Sequence, residues 1–317
     1  MAAGKIAILF PGQGSQFVGM GREFIEADPE AAALMDTAEA VSGFPLRRLC
    51  LEGPMEELTR TVHLQPAMTV VNLICWQAVK KAGIRPDCLA GHSLGEYSAL
   101  CAGGVLTPAD TLKLVTERGR LMEREGSKNP GTMRAVLGLT LDEVQAVLAG
   151  VSNGVATAAN HNSEKQVVIS GEAQAVEAAA AEVGKRGGKA IPLKVSGAWH
   201  SPLVEAAVPD FTAIMAGIPF QSPTIPVLFN VTAREEREPA AIRAAMARQI
   251  ASMVRWHEIV HALLARGMRT FVEVGPKTVL TGLAKKIVPA DVPCTFLQVE
   301  NPETLAKARE ELGHLKK

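Results

Sequence analysis

The chain has 317 residues, 47% of them apolar, with 33 Lys and Arg balanced by 33 Asp and Glu. That length accommodates one large domain, or a large one with a smaller companion. The balanced charge excludes a chain drawn as a whole toward nucleic acid or an acidic membrane. Cys50, Cys75, Cys88, Cys101 and Cys294 are scattered without a C-x-x-C pair, as buried thiols in a reducing compartment are. The first residues lack the basic–apolar–small order of a signal peptide, and no stretch approaches the ~20 apolar residues of a membrane span. The expected location is the cytoplasm.

Residues 5–10 predict a first strand and 17–27 a first helix. A buried helix follows at 66–82, then a strand at 84–90 and a turn around Ser93. The helix after Pro108 carries Leu112, Val115, Gly119 and Met122 at helical spacing. A cluster of turn formers, Gly126-Ser127-Lys128-Asn129-Pro130-Gly131, then predicts a break. Beyond it come a strand at 133–139, a helix at 141–148, strands at 155–159 and 166–170, an alanine-rich helix at 173–183 and a strand at 189–195. That β-α-β-β-α-β order is the ferredoxin-like unit. Helices at 203–216 and 239–265 and strands at 225–231 and 270–274 complete the chain. The expectation is an α/β fold with a large, α/β-hydrolase-like domain on a mostly parallel sheet (1–127 and 196–317) and an inserted ferredoxin-like domain (128–195).

The residues Gly91-His92-Ser93-Leu94-Gly95 follow the apolar run Cys88-Leu89-Ala90. This is the G-x-S-x-G pattern, in which a strand-to-helix turn presents a serine hydroxyl clear of the sheet. A serine hydroxyl is a weak nucleophile at neutral pH and needs a base within hydrogen-bond reach. His92 adjoins it, but strand neighbours point to opposite faces. His200, in Gly197-Ala198-Trp199-His200-Ser201-Pro202, lies where the chain re-enters the large domain, and such loops line clefts. A hydrogen-bonded loop histidine is the plainer account of that residue. In Phe10-Pro11-Gly12-Gln13-Gly14-Ser15-Gln16, the flanking glycines leave the Gln13 amide free to face a developing oxyanion, with the Leu94 amide as the second donor. A simple strand–helix turn satisfies the same residues. Arg118 falls on or beside the stripe of Leu114, Val115, Leu121 and Met122, so its side chain is expected to point inward. A buried guanidinium needs an anionic partner, and a substrate carboxylate is one candidate.

These residues, together with Gln65-Pro66-Ala67, Glu96-Tyr97, Asn160-His161-Asn162-Ser163 and Glu273-Val274-Gly275-Pro276, run in order along almost the whole chain. The set resembles the malonyl-CoA:acyl carrier protein transacylases of fatty acid and polyketide synthesis. The resemblance implies Ser93 as nucleophile and His200 as its base, with that histidine oriented by the backbone carbonyl of Gln249. It implies an oxyanion hole at Gln13 and Leu94, and Arg118 holding the free malonyl carboxylate. It further implies acyl-pocket roles for Gln65, His92, Met122, Asn162 and Trp199, and a ping-pong malonyl transfer from malonyl-CoA to acyl carrier protein with no metal or bound cofactor. Two positions depart from the family: Trp199 replaces the phenylalanine common in malonyl-using members, and Arg134 stands where alanine is usual. The bulky ring at 199 predicts malonyl over methylmalonyl.

Other readings compete. A trans-acting polyketide synthase acyltransferase shares every motif. A serine thioesterase or esterase shares the nucleophile but has no use for Arg118, and a non-catalytic carrier-protein scaffold has no use for Ser93. His257-Glu258-Ile259-Val260-His261 matches the H-E-x-x-H of zinc peptidases, with Glu273 as the nearest third ligand. An amphipathic helix explains those residues as well. Among the basic residues 185, 186, 189, 285 and 286, Lys189 is the best placed to meet coenzyme A phosphates or an acidic carrier.

Overall fold

The run Ile6 to Phe10 has no polar residue because both faces of this strand are covered. In the computed structural model, which describes residues 4–315, Ile8 and Phe10 enter one apolar core while Ala7 and Leu9 enter another. The strands are β1 (Lys5–Phe10), β2 (Cys88–Gly91), β3 (Thr132–Leu137), β4 (Ala156–Ser163), β5 (Gln166–Gly171), β6 (Lys189–Pro192), β7 (Val227–Leu228), β8 (Met268–Val274) and β9 (Thr295–Val299). One sheet has the order β7-β2-β1-β8-β9 and is parallel throughout. The other has the order β4-β5-β3-β6 and is antiparallel throughout. Helices Leu141–Ala149 and Ala173–Lys185 complete a β-α-β-β-α-β order around its own core of Val136, Val144, Val167, Ile169, Val176 and Val183.

Several elements differ from expectation, each for a local reason. The first helix begins only at Arg22, because Gly19 and Gly21 adopt left-handed φ values of 106° and 79°. The buried helix spans Thr61–Lys81, with Pro66 inside rather than at its start. The helix Pro108–Lys128 continues through Gly126 and Ser127, so the predicted break is confined to the residues after it. Strand β4 extends past the expected end at 159 through the polar residues Asn160, His161 and Asn162. The strand predicted at 225–231 shortens to β7, because the chain turns at Phe229–Arg234. The helix predicted over 239–265 is two, Pro239–Gln249 and Trp256–Ala265. Val254 leaves the helix to make backbone bonds with β4, donating to Ala159 O (2.9 Å) and accepting from His161 N (2.8 Å). That exchange ties the antiparallel sheet to the segment between these two helices. Strand β9 and the helices Pro29–Ser42 and Pro302–Leu315 lie where no element was expected.

Arg134 is accounted for by packing: it donates to Ala190 O and pairs with Glu177, tying β3 to β6 and to the helix above. Among the described residues no helix is long and apolar enough to cross a membrane.

Candidate active site

The carboxyl ends of β1 and β2 meet at a place where side chains would not fit. A Cβ on Gly91 would lie 2.1 Å from the carbonyl carbon of Gly95, and one on Gly95 would lie 2.0 Å from Phe10 O. The two glycines let the turn close so tightly that Ser93 sits at φ 51°, a left-handed conformation costly for a residue with a side chain. Asn230, just after β7, holds it there. Its Oδ1 accepts from Ser93 N (2.6 Å), its Nδ2 donates to Gly91 O (2.7 Å), and its own amide donates to Glu96 Oε1 (2.8 Å). Sequence reasoning missed Asn230, since only the β7–β2 pairing brings it to the nucleophile turn.

Ser93 Oγ lies 2.7 Å from His200 Nε2. The other ring nitrogen, Nδ1, faces the carbonyls of Gln249 (3.1 Å) and Ser252 (2.9 Å). Carbonyls only accept, so Nδ1 carries the proton and Nε2 presents its lone pair to the serine hydroxyl. Both acceptors lie at or just past the end of the helix Pro239–Gln249, where carbonyls have no intrahelical partner. The break that corrected the long-helix expectation is therefore what orients this imidazole, and Ser252 joins Gln249 in doing so. Burial, the Arg118 charge and His92 pull the His200 pKa from 6.5 to about 3, so the ring is neutral.

Gly12 lets the loop after β1 pass over this turn, since a Cβ there would lie 2.4 Å from His92 O. The amides of Gln13 and Leu94 donate to no other described residue.

Arg118 is 0% exposed. Gly119 permits the close crossing that surrounds it, because a Cβ there would stand 3.0 Å from Thr61 O on the neighbouring helix. That crossing sets Gln65 beside the guanidinium. Arg118 donates from Nη1 to Gln65 Oε1 (3.0 Å) and from Nη2 to Gln249 Oε1 (2.9 Å), with Ser93 Oγ at 3.4 Å from Nη2. Its Nε is buried without a partner, and no carboxylate forms an ion pair with it among the described residues. The nearest acid is one step removed. Gln249 Nε2 donates to Glu96 Oε2 (2.9 Å) and to Ser93 O (2.7 Å), so its carboxamide links Glu96 to Arg118. Burial pushes Glu96 up to about 7 and lowers Arg118.

The remaining expected residues divide. Met122 Sδ accepts from Gln65 Nε2 at 3.0 Å. His92 Nε2 is 2.9 Å from Asn162 Oδ1, its ring packs edge-on against Trp256, and burial lowers its pKa. Trp199 is buried beside His200. Lys189 stands apart, exposed at the start of β6. The H-E-x-x-H residues do not form a metal centre: Glu258 meets His161 Nδ1 at 3.1 Å, and His257 packs against both His161 and His261. Glu273, the expected third ligand, accepts instead from the Leu280 and Thr281 amides. No group of three or more potential ligands is arranged to hold a metal among the described residues.

The acyl transferase domain family matches residues 8–297. A malonyl CoA-acyl carrier protein transacylase of Bacillus subtilis is 40% identical over 312 residues, covering 97% of both chains. The chain belongs to this acyltransferase family. Another malonyl CoA-acyl carrier protein transacylase, from Escherichia coli, is 38% identical over 96% of this chain and 99% of its own. The solved transacylase of Coxiella burnetii superposes with a TM-score of 0.93 at 32% identity, covering 98% of this chain and 99% of its own. A malonyl-transacylase in complex with a type II polyketide synthase acyl-carrier protein gives 0.92 at 35% identity, covering 97% and 99%. As an acyltransferase, the chain has its G-x-S-x-G serine at the mouth of the parallel sheet, with a neutral imidazole and a guanidinium that meets no carboxylate among the described residues both beside its hydroxyl.

Proposed function

We propose that this chain transfers a malonyl group from malonyl-CoA to the phosphopantetheine thiol of acyl carrier protein through a malonyl-Ser93 ester, supplying extender units for fatty acid synthesis. The observation that carries the choice of acyl group is Arg118: a buried cation beside the Ser93 hydroxyl with no carboxylate in contact among the described residues. A thioesterase for uncharged acyl chains has no use for it. Two N–H groups of one guanidinium suit a carboxylate at the far end of a short acyl chain.

In the first half-reaction, Ser93 Oγ attacks the thioester carbonyl while its proton passes to His200 Nε2. The carbonyl oxygen takes up negative charge, and the Gln13 and Leu94 amides face it. Collapse breaks the C–S bond, and the protonated imidazole returns its proton to the departing thiolate. In the second, His200 takes the proton of the carrier thiol, whose sulfur attacks the ester carbonyl. The C–O bond then breaks, and Ser93 recovers its hydrogen from the imidazolium. The Gln249 and Ser252 carbonyls stabilise the imidazolium of both half-reactions, in the place an acid occupies in a Ser-His-Asp triad. No step calls on a metal or resident cofactor.

The same reading takes 1–127 and 196–317 as a hydrolase-like catalytic domain and 128–195 as an inserted ferredoxin-like domain. The β4-β5-β3-β6 order and the turn at Ser93 support those labels. Free cysteines suit a cytoplasmic setting. The test is intact-mass and peptide mapping after mixing with malonyl-CoA, with acetyl- and methylmalonyl-CoA alongside. One malonyl group on Ser93 that is discharged by holo carrier protein is expected. Malonyl transfer that persists in Ser93→Ala, or a wild-type chain that takes no malonyl group, overturns the proposal.

A further inference from the structure

Glycine in a helix interior is destabilising relative to alanine, so Gly126, in the last third of the helix Pro108–Lys128, needs a reason to be there. It lies eight residues after Arg118 and four after Met122, on the same helix face, and all three are buried. A Cβ on residue 126 would stand 2.9 Å from Trp199 Cη2 and 3.3 Å from its Cζ3. A Cβ on Gly197 would stand 2.5 Å and 2.7 Å from the same two atoms. The outer edge of the indole is therefore seated between two missing side chains. Those atoms are ones that phenylalanine, the residue common at this position in the resembling family, does not possess.

Trp199 is peptide-bonded to His200, which is itself held at a left-handed φ of 58°. The surrounding segment is docked onto the same helix end: Ser196 O lies 3.3 Å from the Cβ that residue 126 lacks, and Asn129 Nδ2, just past the helix, donates to Leu203 O at 3.1 Å. We infer that Gly126 is a positioning residue: by seating the indole of Trp199 it fixes where His200 stands relative to Ser93. This chain has thus taken a larger ring at 199 and the space for it at 126 as a matched pair. The inference rests on the malonyl-transfer reading above.

The experiment compares wild type, Gly126→Ala, Trp199→Phe and the double variant for single-turnover malonyl loading from malonyl-CoA. Gly126→Ala is expected to lower the loading rate constant of the folded protein about ten- to hundredfold, the cost of a displaced catalytic group, with little change in KM. Trp199→Phe removes the clashing atoms, so the double variant is expected to return to within about threefold of Trp199→Phe alone, since only coupled positions show such non-additivity. A purely structural glycine would lower the melting temperature and leave the rate constant of the folded fraction unchanged. If Gly126→Ala alone does not fold, the double variant still decides: fold and loading regained with phenylalanine at 199 support the coupling, and a double variant that also fails to fold or load overturns it. Equal losses from Gly126→Ala in both backgrounds, or wild-type loading by Gly126→Ala, overturn the inference. Failure of the wild-type chain to form the malonyl ester is a separate result, and removes the function reading itself.

Discussion

Replacing Arg118 with alanine separates a malonyl transferase from a hydrolase of uncharged esters. The guanidinium has five N–H donors. One on Nη1 is taken by Gln65 and those on Nη2 by Gln249 and by Ser93 Oγ at 3.4 Å, while Nε has no partner among the described residues. Two donors are thus free to meet a carboxylate, and each hydrogen bond to a charged group is worth about 1.5–3 kcal/mol. Their joint loss of about 3–6 kcal/mol corresponds to roughly 10²–10⁴ in kcat/KM for malonyl loading. Acetyl loading uses none of these bonds, so the malonyl-to-acetyl ratio should fall by nearly the full factor. The substitution also strands Gln65 Oε1 and Gln249 Oε1, costing about 1–3 kcal/mol of stability each unless water enters. The assay is therefore stopped-flow loading of both thioesters on protein shown folded by its melting transition. Malonyl loading within about threefold of wild type would refute the carboxylate clamp; so would an equal loss for both acyl groups, because the arginine would then serve only the turn.

Three further expectations follow from the geometry. His200 is held neutral to about pH 3 instead of 6.5, so the loading rate should show no acid limb near pH 6.5. Because its folded pKa is depressed, its stability contribution is intact above 6.5 and is lost as pH falls toward 3; a titration of activity on folded protein with an inflection near 6.5 would contradict the buried setting. Asn230→Ala leaves Ser93 N and Gly91 O without their side-chain partner, at about 1–3 kcal/mol each. Denaturant unfolding should register that loss, and loading should fall by more than about tenfold as the strained turn relaxes. Dialysis against a chelator should leave malonyl loading unaltered, and metal analysis should find no stoichiometric zinc, since Glu258 is engaged with His161.

Much of this molecule is written in short-range pattern. The continuous apolar run at residues 6–10 marks a strand covered on both faces, and Gly12, Gly91 and Gly95 mark turns too tight for side chains. The inward aim of Arg118 follows from helical spacing alone. These signals survive in a bare sequence because each depends on neighbours within a turn or two.

What the sequence could not decide were the places where a distant segment overrides local preference. The run 239–265 has the composition of one helix, yet Val254 gives up helical bonds for backbone bonds to β4, and the resulting break exposes the Gln249 and Ser252 carbonyls to His200. Asn160–Asn162 lies beyond the expected strand end at 159 but is drawn into strand by the same exchange. The Asn230 clamp, the Glu96–Gln249–Arg118 chain of hydrogen bonds and the glycine seat under Trp199 each join residues more than 70 positions apart. Local propensity fixes which hydroxyl, imidazole and guanidinium the chain carries. Only the packing of two sheets and the crossing of two helices fixes that they converge, because a buried polar group goes where its hydrogen bonds can be satisfied.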